Sequence, residues 1–180
     1  MRPRATPSSA TDLERLRELA TLGAERAACA LGELAGANVG AGPLRAGNAE
    51  KAPPFEIGIL FEVEGHLSGR LGLFLDALTR RALVRLLLDE EEPEAPVDMV
   101  ASALCELANI VASQTVSAIA DSLGAGISLS VPRLVFERAG AAFVEARSAR
   151  GAATRELAFA SELAAPAAEL RLLLVFTTGV

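Results

Sequence analysis

The 180-residue chain has no tryptophan, no tyrosine, one histidine and two cysteines. Its 7 phenylalanines are the only aromatic residues, which argues against carbohydrate and single-stranded nucleic-acid sites, since both stack their ligands on rings. One histidine (His66) with Cys29 and Cys105 excludes nearly all zinc sites built within one chain and leaves one position on which a Ser-His-Asp site could be assembled. Lysine is nearly absent too: Lys51 is alone, and the remaining basic charge is arginine. A net charge of −6 and a pI of about 4.9 weigh against a phosphate-backbone binder. No run approaches the ~20 apolar residues of a membrane span, and MRPRATPSSATD at the amino terminus lacks the apolar stretch of a signal peptide. With two cysteines far apart in sequence, the expectation is a soluble, cytoplasmic protein whose thiols are reduced and packed in the core.

What is there is a globular composition, 51% hydrophobic and 22% charged, of a length that suits one domain. Residues 1–10 read as a flexible arm. Thr11, with Glu14 three residues on, has the spacing of a capping box. Leu13, Leu16, Ala20, Ala24, Ala27, Leu31 and Leu34 then follow at helical spacing as far as Gly36. Residues 37–54 read as loop or irregular strand. Phe55, Ile57, Ile59, Phe61 and Val63 alternate with the residues between them, the mark of a strand with one buried face. Leu67, Leu71, Leu73 and Leu75 beyond a Glu64-Gly65-His66 turn complete a hairpin. Asp76 can cap a helix over about 77–89, which the acidic linker 89–96 ends. A second long helix runs over about 97–123 to Gly124, and strands are expected near 127–137, 140–147, 154–163 and 168–178. The fold class is α+β, two long helices on a largely antiparallel sheet.

Displaced by 88 residues, the sequence matches itself: Leu16, Glu18, Leu19 and Ala20 fall on Leu104, Glu106, Leu107 and Ala108, and Gly36-Ala37 on Gly124-Ala125. This predicts one domain over 11–180 made of half-repeats, about 11–90 and 97–180, related by a pseudo-twofold axis.

The second long helix divides by face. Val100, Ala103, Leu104, Leu107, Ile110, Val111, Ala118 and Ile119 form its expected core side. Asp98, Ser102, Glu106, Asn109, Ser113 and Ser117, spaced by four or three, line the opposite side. A solvated face is the ordinary reading of such a line. Its composition points elsewhere: an arginine-rich chain would fill a solvated face with Arg and Glu, whereas this one has short hydroxyls, two carboxylates and a mid-helix amide, a poor helix former.

Ser102, Glu106, Asn109 and, after a 22-residue gap, Pro132 are similar to the signature of the CheC/CheX/FliY phosphatases: Asp or Ser, three residues, Glu, two, Asn, twenty-two, Pro. The segment SALCELANIVASQTVSAIADSLGAGISLSVP resembles CheC proteins along its length, and LRELATLGAERAACALGEL resembles the first CheC copy. The resemblance covers about 11–178. It implies a CheC-like fold and a chemotaxis phosphatase that hydrolyses the aspartyl phosphate of CheY-type response regulators. On that basis Asn109 orients the attacking water in the regulator's acidic pocket and Glu106 contacts the regulator. Ser102 supports the pair and Pro132 shapes the adjacent strand. The resemblance also implies that a Mg²⁺ belongs to the regulator, with no cofactor on this chain, and that CheD, a receptor-modifying deamidase, is a second partner. The rival it leaves open is a non-catalytic binding protein of the same fold, acting through CheD or, like FliM, at the flagellar switch.

In the first half Glu18 holds the Glu position, but Thr21 stands at the Asn position and Glu14 at that of Asp or Ser, so this copy is expected to be silent. Gly23 suggests close helix packing. Arg80, Arg81 and Arg85 read as a solvated helix face. The glycines of 36–42 lack the lysine and spacing of a phosphate loop.

Overall fold

A computed structural model describes residues 10–48, 55, 57–89, 95–148 and 156–179. Residues 1–9 of the arm expected over 1–10, the middle of the acidic linker and the side chain of Thr11 lie outside the described set, while Ala10 already belongs to the first helix. The elements are α1 (Ala10–Ala35), β1 (Gly40–Ala41), β2 (Arg45–Asn48), β3 (Ile57–Gly65), β4 (Gly69–Leu75), α2 (Ala77–Leu88), α3 (Val97–Leu123), β5 (Ile127–Leu129), β6 (Arg133–Val135), α4 (Ala139–Ser148), β7 (Glu156–Ala165) and β8 (Leu170–Gly179).

Helix boundaries follow local chemistry. Asp76 accepts a hydrogen bond from the Thr79 N–H at 2.8 Å and opens α2. Gly36 (φ 58°) and Gly124 (φ 61°) close the two long helices in the left-handed conformation that glycine adopts without steric cost. The expected hairpin forms between β3 and β4, and in the last strand Leu170, Leu172, Leu174 and Phe176, which share one face, are all buried.

The strands make one antiparallel sheet in the order β1-β7-β8-β4-β3-β5, with β2 also on β7 and β6 also on β3. Each half thus lends its short strands to the hairpin of the other. Exchanging β1, β2, β3 and β4 for β5, β6, β7 and β8 and reading the order backwards returns the same list. The register obeys the exchange as well. Ala41 pairs with Leu163 as Leu129 pairs with Val63, and Arg45 with Ala160 as Arg133 with Leu60. Even the loop bonds correspond: Gly42 N–H donates to Glu162 O at 2.7 Å, and Ser130 N–H to Glu62 O at 2.9 Å.

One face of the sheet carries α1, α2 and α3 over the main core, where Leu31, Leu71, Leu73, Leu83, Leu104 and Val111 are fully buried. Each such side chain contributes about 1.5–3 kcal/mol. The two long helices pack on each other, and Gly23 permits the approach: a Cβ there would lie 3.0 Å from Thr115 Cγ2 and 3.1 Å from Ile119 Cδ1. On α3 the buried side is centred differently from expectation. Ala108, Ala112, Thr115 and Val116 are buried, while Ala103, Ile110 and Ala118 are half-buried, because α3 is covered by α1 on one flank as well as by the sheet below. By length and composition α3 is apolar enough to cross a membrane, against the expectation of no such run; here its apolar side packs on α1, α2 and the sheet.

The strand expected at 140–147 is instead α4. Alanine favours helix most strongly, and Ala139 and Phe143, one turn apart, pack with Leu60, Phe74 and Val175 on the outer face of the sheet. The segment expected as one strand at 127–137 breaks into β5 and β6 at Ser130-Val131-Pro132. Of the segment 37–54, the described residues 37–48 form two short strands, β1 and β2, and the rest lies outside the described residues.

Candidate functional site

Ser102, Glu106, Asn109, Ser113 and Ser117 are all exposed on α3, on the side turned away from the core. Glu106 and Asn109 are three residues apart and so stand side by side, about one turn of helix. Neither side chain makes a hydrogen bond or ion pair to another described residue. The rigid body of α3 fixes their Cα positions, because Leu104, Leu107, Ala108 and Val111 are locked in the core directly behind them. The pair therefore presents an unengaged carboxylate and an unengaged amide: a donor-acceptor group beside a fixed negative charge.

Pro132 is half-buried in the turn between β5 and β6, the two short strands against which α3 packs. The turn is pinned to β3 from both sides: Ser130 N–H donates to Glu62 O, and the Ser130 hydroxyl accepts from Glu62 N–H at 2.9 Å. Pro132 also lines a cleft of about 350 Å³ with Arg70, Ser130, Arg133 and Phe143. Sequence reading missed Arg70. Its guanidinium is buried, donates to the Phe143 carbonyl, pairs with Glu156 and lies 4.7 Å from the centre of the Phe143 ring. The signal was a charge among leucines in a strand with two buried faces.

The corresponding positions of α1 are exposed as well: Glu14, Glu18 and Thr21. The Thr21 hydroxyl donates to Arg17 O at 2.9 Å, so its proton is already committed to its own helix. His66 is exposed in the hairpin turn and makes no side-chain hydrogen bond to a described residue; the constellation for nucleophilic catalysis does not assemble there. Arg81 and Arg85 are exposed, with Arg85 paired to Glu169 at 3.2 Å, while Arg80 is half-buried.

The two cysteines correct an expectation of core packing. Cys29 is exposed, with Sγ 3.8 Å from Glu33 Oε1, and Cys105 is half-buried. Both lie on the flanks of their helices rather than on the sides facing the sheet. Burial pushes the Cys105 thiol above its ordinary pKa. Among the described residues, no three His, Cys, Asp or Glu side chains come together as a metal site.

Residues 99–136, which hold Glu106, Asn109 and Pro132, match the model of the CheC-like family. The chain carries the CheC-like fold of chemotaxis proteins. CheX from Desulfovibrio desulfuricans aligns over 89% of this chain and 99% of its own, at 12% identity and a TM-score of 0.66. A chain of the FliG–FliM complex from H. pylori aligns over 96% of this chain and 94% of its own, at 10% identity and 0.65. A chain of the CheX–CheY–BeF3–Mg²⁺ complex from Borrelia burgdorferi aligns over 88% of this chain and 96% of its own, at 14% identity and 0.58. No curated protein matches the sequence. At these identities the CheC-like likeness is one of fold, and the residues must carry the chemistry.

Proposed function

We propose that the chain is a chemotaxis response-regulator phosphatase that hydrolyses the aspartyl phosphate of a CheY-type protein. The observation that carries this reading is the exposed pair Glu106–Asn109, one turn apart on α3 and unengaged by any other described residue. Glu106 holds the regulator, and Asn109 orients the attacking water. Ser102, one turn before Glu106, leaves room beside it, and Pro132 fixes the turn next to α3. The CheX–CheY complex supports a CheY-type partner for this fold.

The chemistry needs no base on this chain. An acyl phosphate is already labile, and a hundred- to thousandfold acceleration corresponds to about 3–4 kcal/mol. Holding one water in line with the phosphorus supplies much of that. A neutral amide can accept from the water and donate to a neighbouring oxygen without adding charge to an anionic pocket. The Mg²⁺ of the reaction belongs to the regulator, and this chain contributes no cofactor. The setting is the cytoplasm, where such regulators act.

The second reading is a binding protein without turnover, which the FliG–FliM likeness favours. It would act at the flagellar switch or through CheD. A timed loss of phosphate from candidate regulators, with and without this protein, separates the two: acceleration that Asn109→Ala removes supports the phosphatase, and binding without acceleration supports the switch-type reading. Titration with a CheD from the same cell tests that partner, and no binding at micromolar concentration excludes it.

A further inference from the structure

The two long helices supply a comparison within one molecule. On α3 the side chains four residues before and after Asn109 are Cys105 and Ser113; on α1 those flanking Thr21 in the same way are Arg17 and Glu25. Neighbours at i−4 and i+4 lie on the same helix face, immediately above and below. Cys105 is half-buried and short, and Ser113 is exposed and short. Arg17 and Glu25 are both exposed, long and charged. On α3, then, the positions one turn before and one turn after Asn109 both carry short side chains. On α1 the central position is a hydroxyl turned back onto Arg17 O, walled by a guanidinium and a carboxylate.

This difference matters for a phosphate attached to an aspartate. The acyl phosphate sits on a short side chain, so an amide can reach its water only if the helix backbone comes close to the partner. Long charged neighbours hold the backbone away, or must be stripped of water to let it approach, and desolvating a charge without a partner is costly.

We propose that Ser113 is a specificity-determining residue of the site: by its small size it keeps the clearance that admits Asn109 to the aspartyl phosphate. Glu25 and Arg17 deny the same approach to α1. The proposal rests on the phosphatase reading and adds to it which neighbour sets access. It also implies that Thr21→Asn by itself leaves α1 closed.

Three variants test it, with turnover followed over a range of phosphorylated-regulator concentrations. Ser113→Ala keeps the clearance, so its KM should stay well below those of the two bulkier variants. Ser113→Gln adds bulk without charge and should raise KM by about tenfold or more with kcat little changed, the pattern of an obstructed approach. Ser113→Glu, which copies Glu25, should do the same or more. Melting curves should coincide with the parent, since the position is exposed. Ser113→Gln with the parent KM would overturn the proposal, as would Ser113→Ala being as damaging as Ser113→Gln, because the hydroxyl and not the clearance would then matter. A parent protein that accelerates no regulator's dephosphorylation overturns the phosphatase reading itself, and the proposal with it; an active parent with an indifferent Ser113 overturns the proposal alone.

Discussion

Gly72 pairs with Val175 across the β4–β8 ladder, and this pair is its own counterpart when the halves of the sheet are exchanged. The pseudo-axis therefore runs between these two residues, and the halves differ there in bulk. Glycine is required on one side because the Phe74 ring, held under Phe143 of α4, covers it: a Cβ at Gly72 would lie 2.6 Å from Phe74 Cε2 and 3.2 Å from Phe143 Cε2. Gly72→Val, which would make the pair symmetric, should therefore overpack the outer core and lower stability by about 1–3 kcal/mol. The midpoint of urea unfolding measures it, and a value equal to the parent would mean that α4 moves freely off the sheet.

Arg70 and Glu156 tie the same region together from the inside. The Arg70 guanidinium is buried against Phe143 and bonded to its carbonyl, with Glu156 as its counter-charge. Removing one partner of a buried pair leaves the other charge uncompensated, so Arg70→Ala should cost about 3–5 kcal/mol. The double change Arg70→Met with Glu156→Gln should cost less than Arg70→Ala. Thermal melts of the two proteins check the order, and the reverse order would show that the ion pair contributes no specific stabilisation.

The long helices, the hairpin and the last strand were legible because their apolar spacing is strong and their ends carry glycine or Asp76. Two insertions hid the rest of the repeat. The helices and short strands of the two halves match at a displacement of 88, as Gly42 and Ser130 show. The hairpin strands match at 100 (Val63 with Leu163) and then at 103 (Gly72 with Val175). The first gain is the room taken by α4 and the second that of the 3-10 turn at Pro166–Ala168, so no single displacement aligns the strands. The misreading of α4 has the same root: a short alanine-rich segment has too few large side chains to distinguish period two from helical spacing. At the site, the exposed line on α3 was visible in its composition. Arg70 was not, because the outer face of β4 is buried by α4, an element read as a strand.

The cysteines should separate chemically. Cys29 is exposed, whereas Cys105 is half-buried and its thiol is raised above the ordinary value by desolvation. The thiolate is the nucleophile, so a higher pKa means less of it at pH 8. An alkylating reagent should label Cys29 first, with Cys105 slower by roughly tenfold or more. Mass spectrometry of timed samples reads the order, and equal rates would mean that α3 opens readily from the body of the protein.

The first half should contribute nothing to turnover. Thr21 cannot supply the paired donor and acceptor of an amide, and its hydroxyl is already bonded to Arg17 O. Glu18→Ala should leave phosphatase activity within about twofold of the parent, as expected of an exposed residue outside the site. In an Asn109→Ala chain, Thr21→Asn should restore no activity. A large loss from Glu18→Ala with an unaltered melt would instead show a second working face.

Glu106 and Asn109 should separate binding from chemistry. Both are exposed and stand on one turn of a helix held rigidly from behind, so either can be changed without disturbing the fold by more than about half a kcal/mol. Asn109→Ala removes the group that places water but leaves most of the contact. Turnover should fall by about a hundredfold or more while the phosphorylated regulator still binds. Glu106→Ala removes a charge-assisted contact instead, so affinity and turnover should fall together. Binding of a regulator carrying a stable phosphate mimic, measured beside steady-state turnover, gives both quantities for each variant. If Asn109→Ala dephosphorylates the regulator as fast as the parent, then no water is placed by that amide, and the phosphatase reading gives way to the switch-type binding protein.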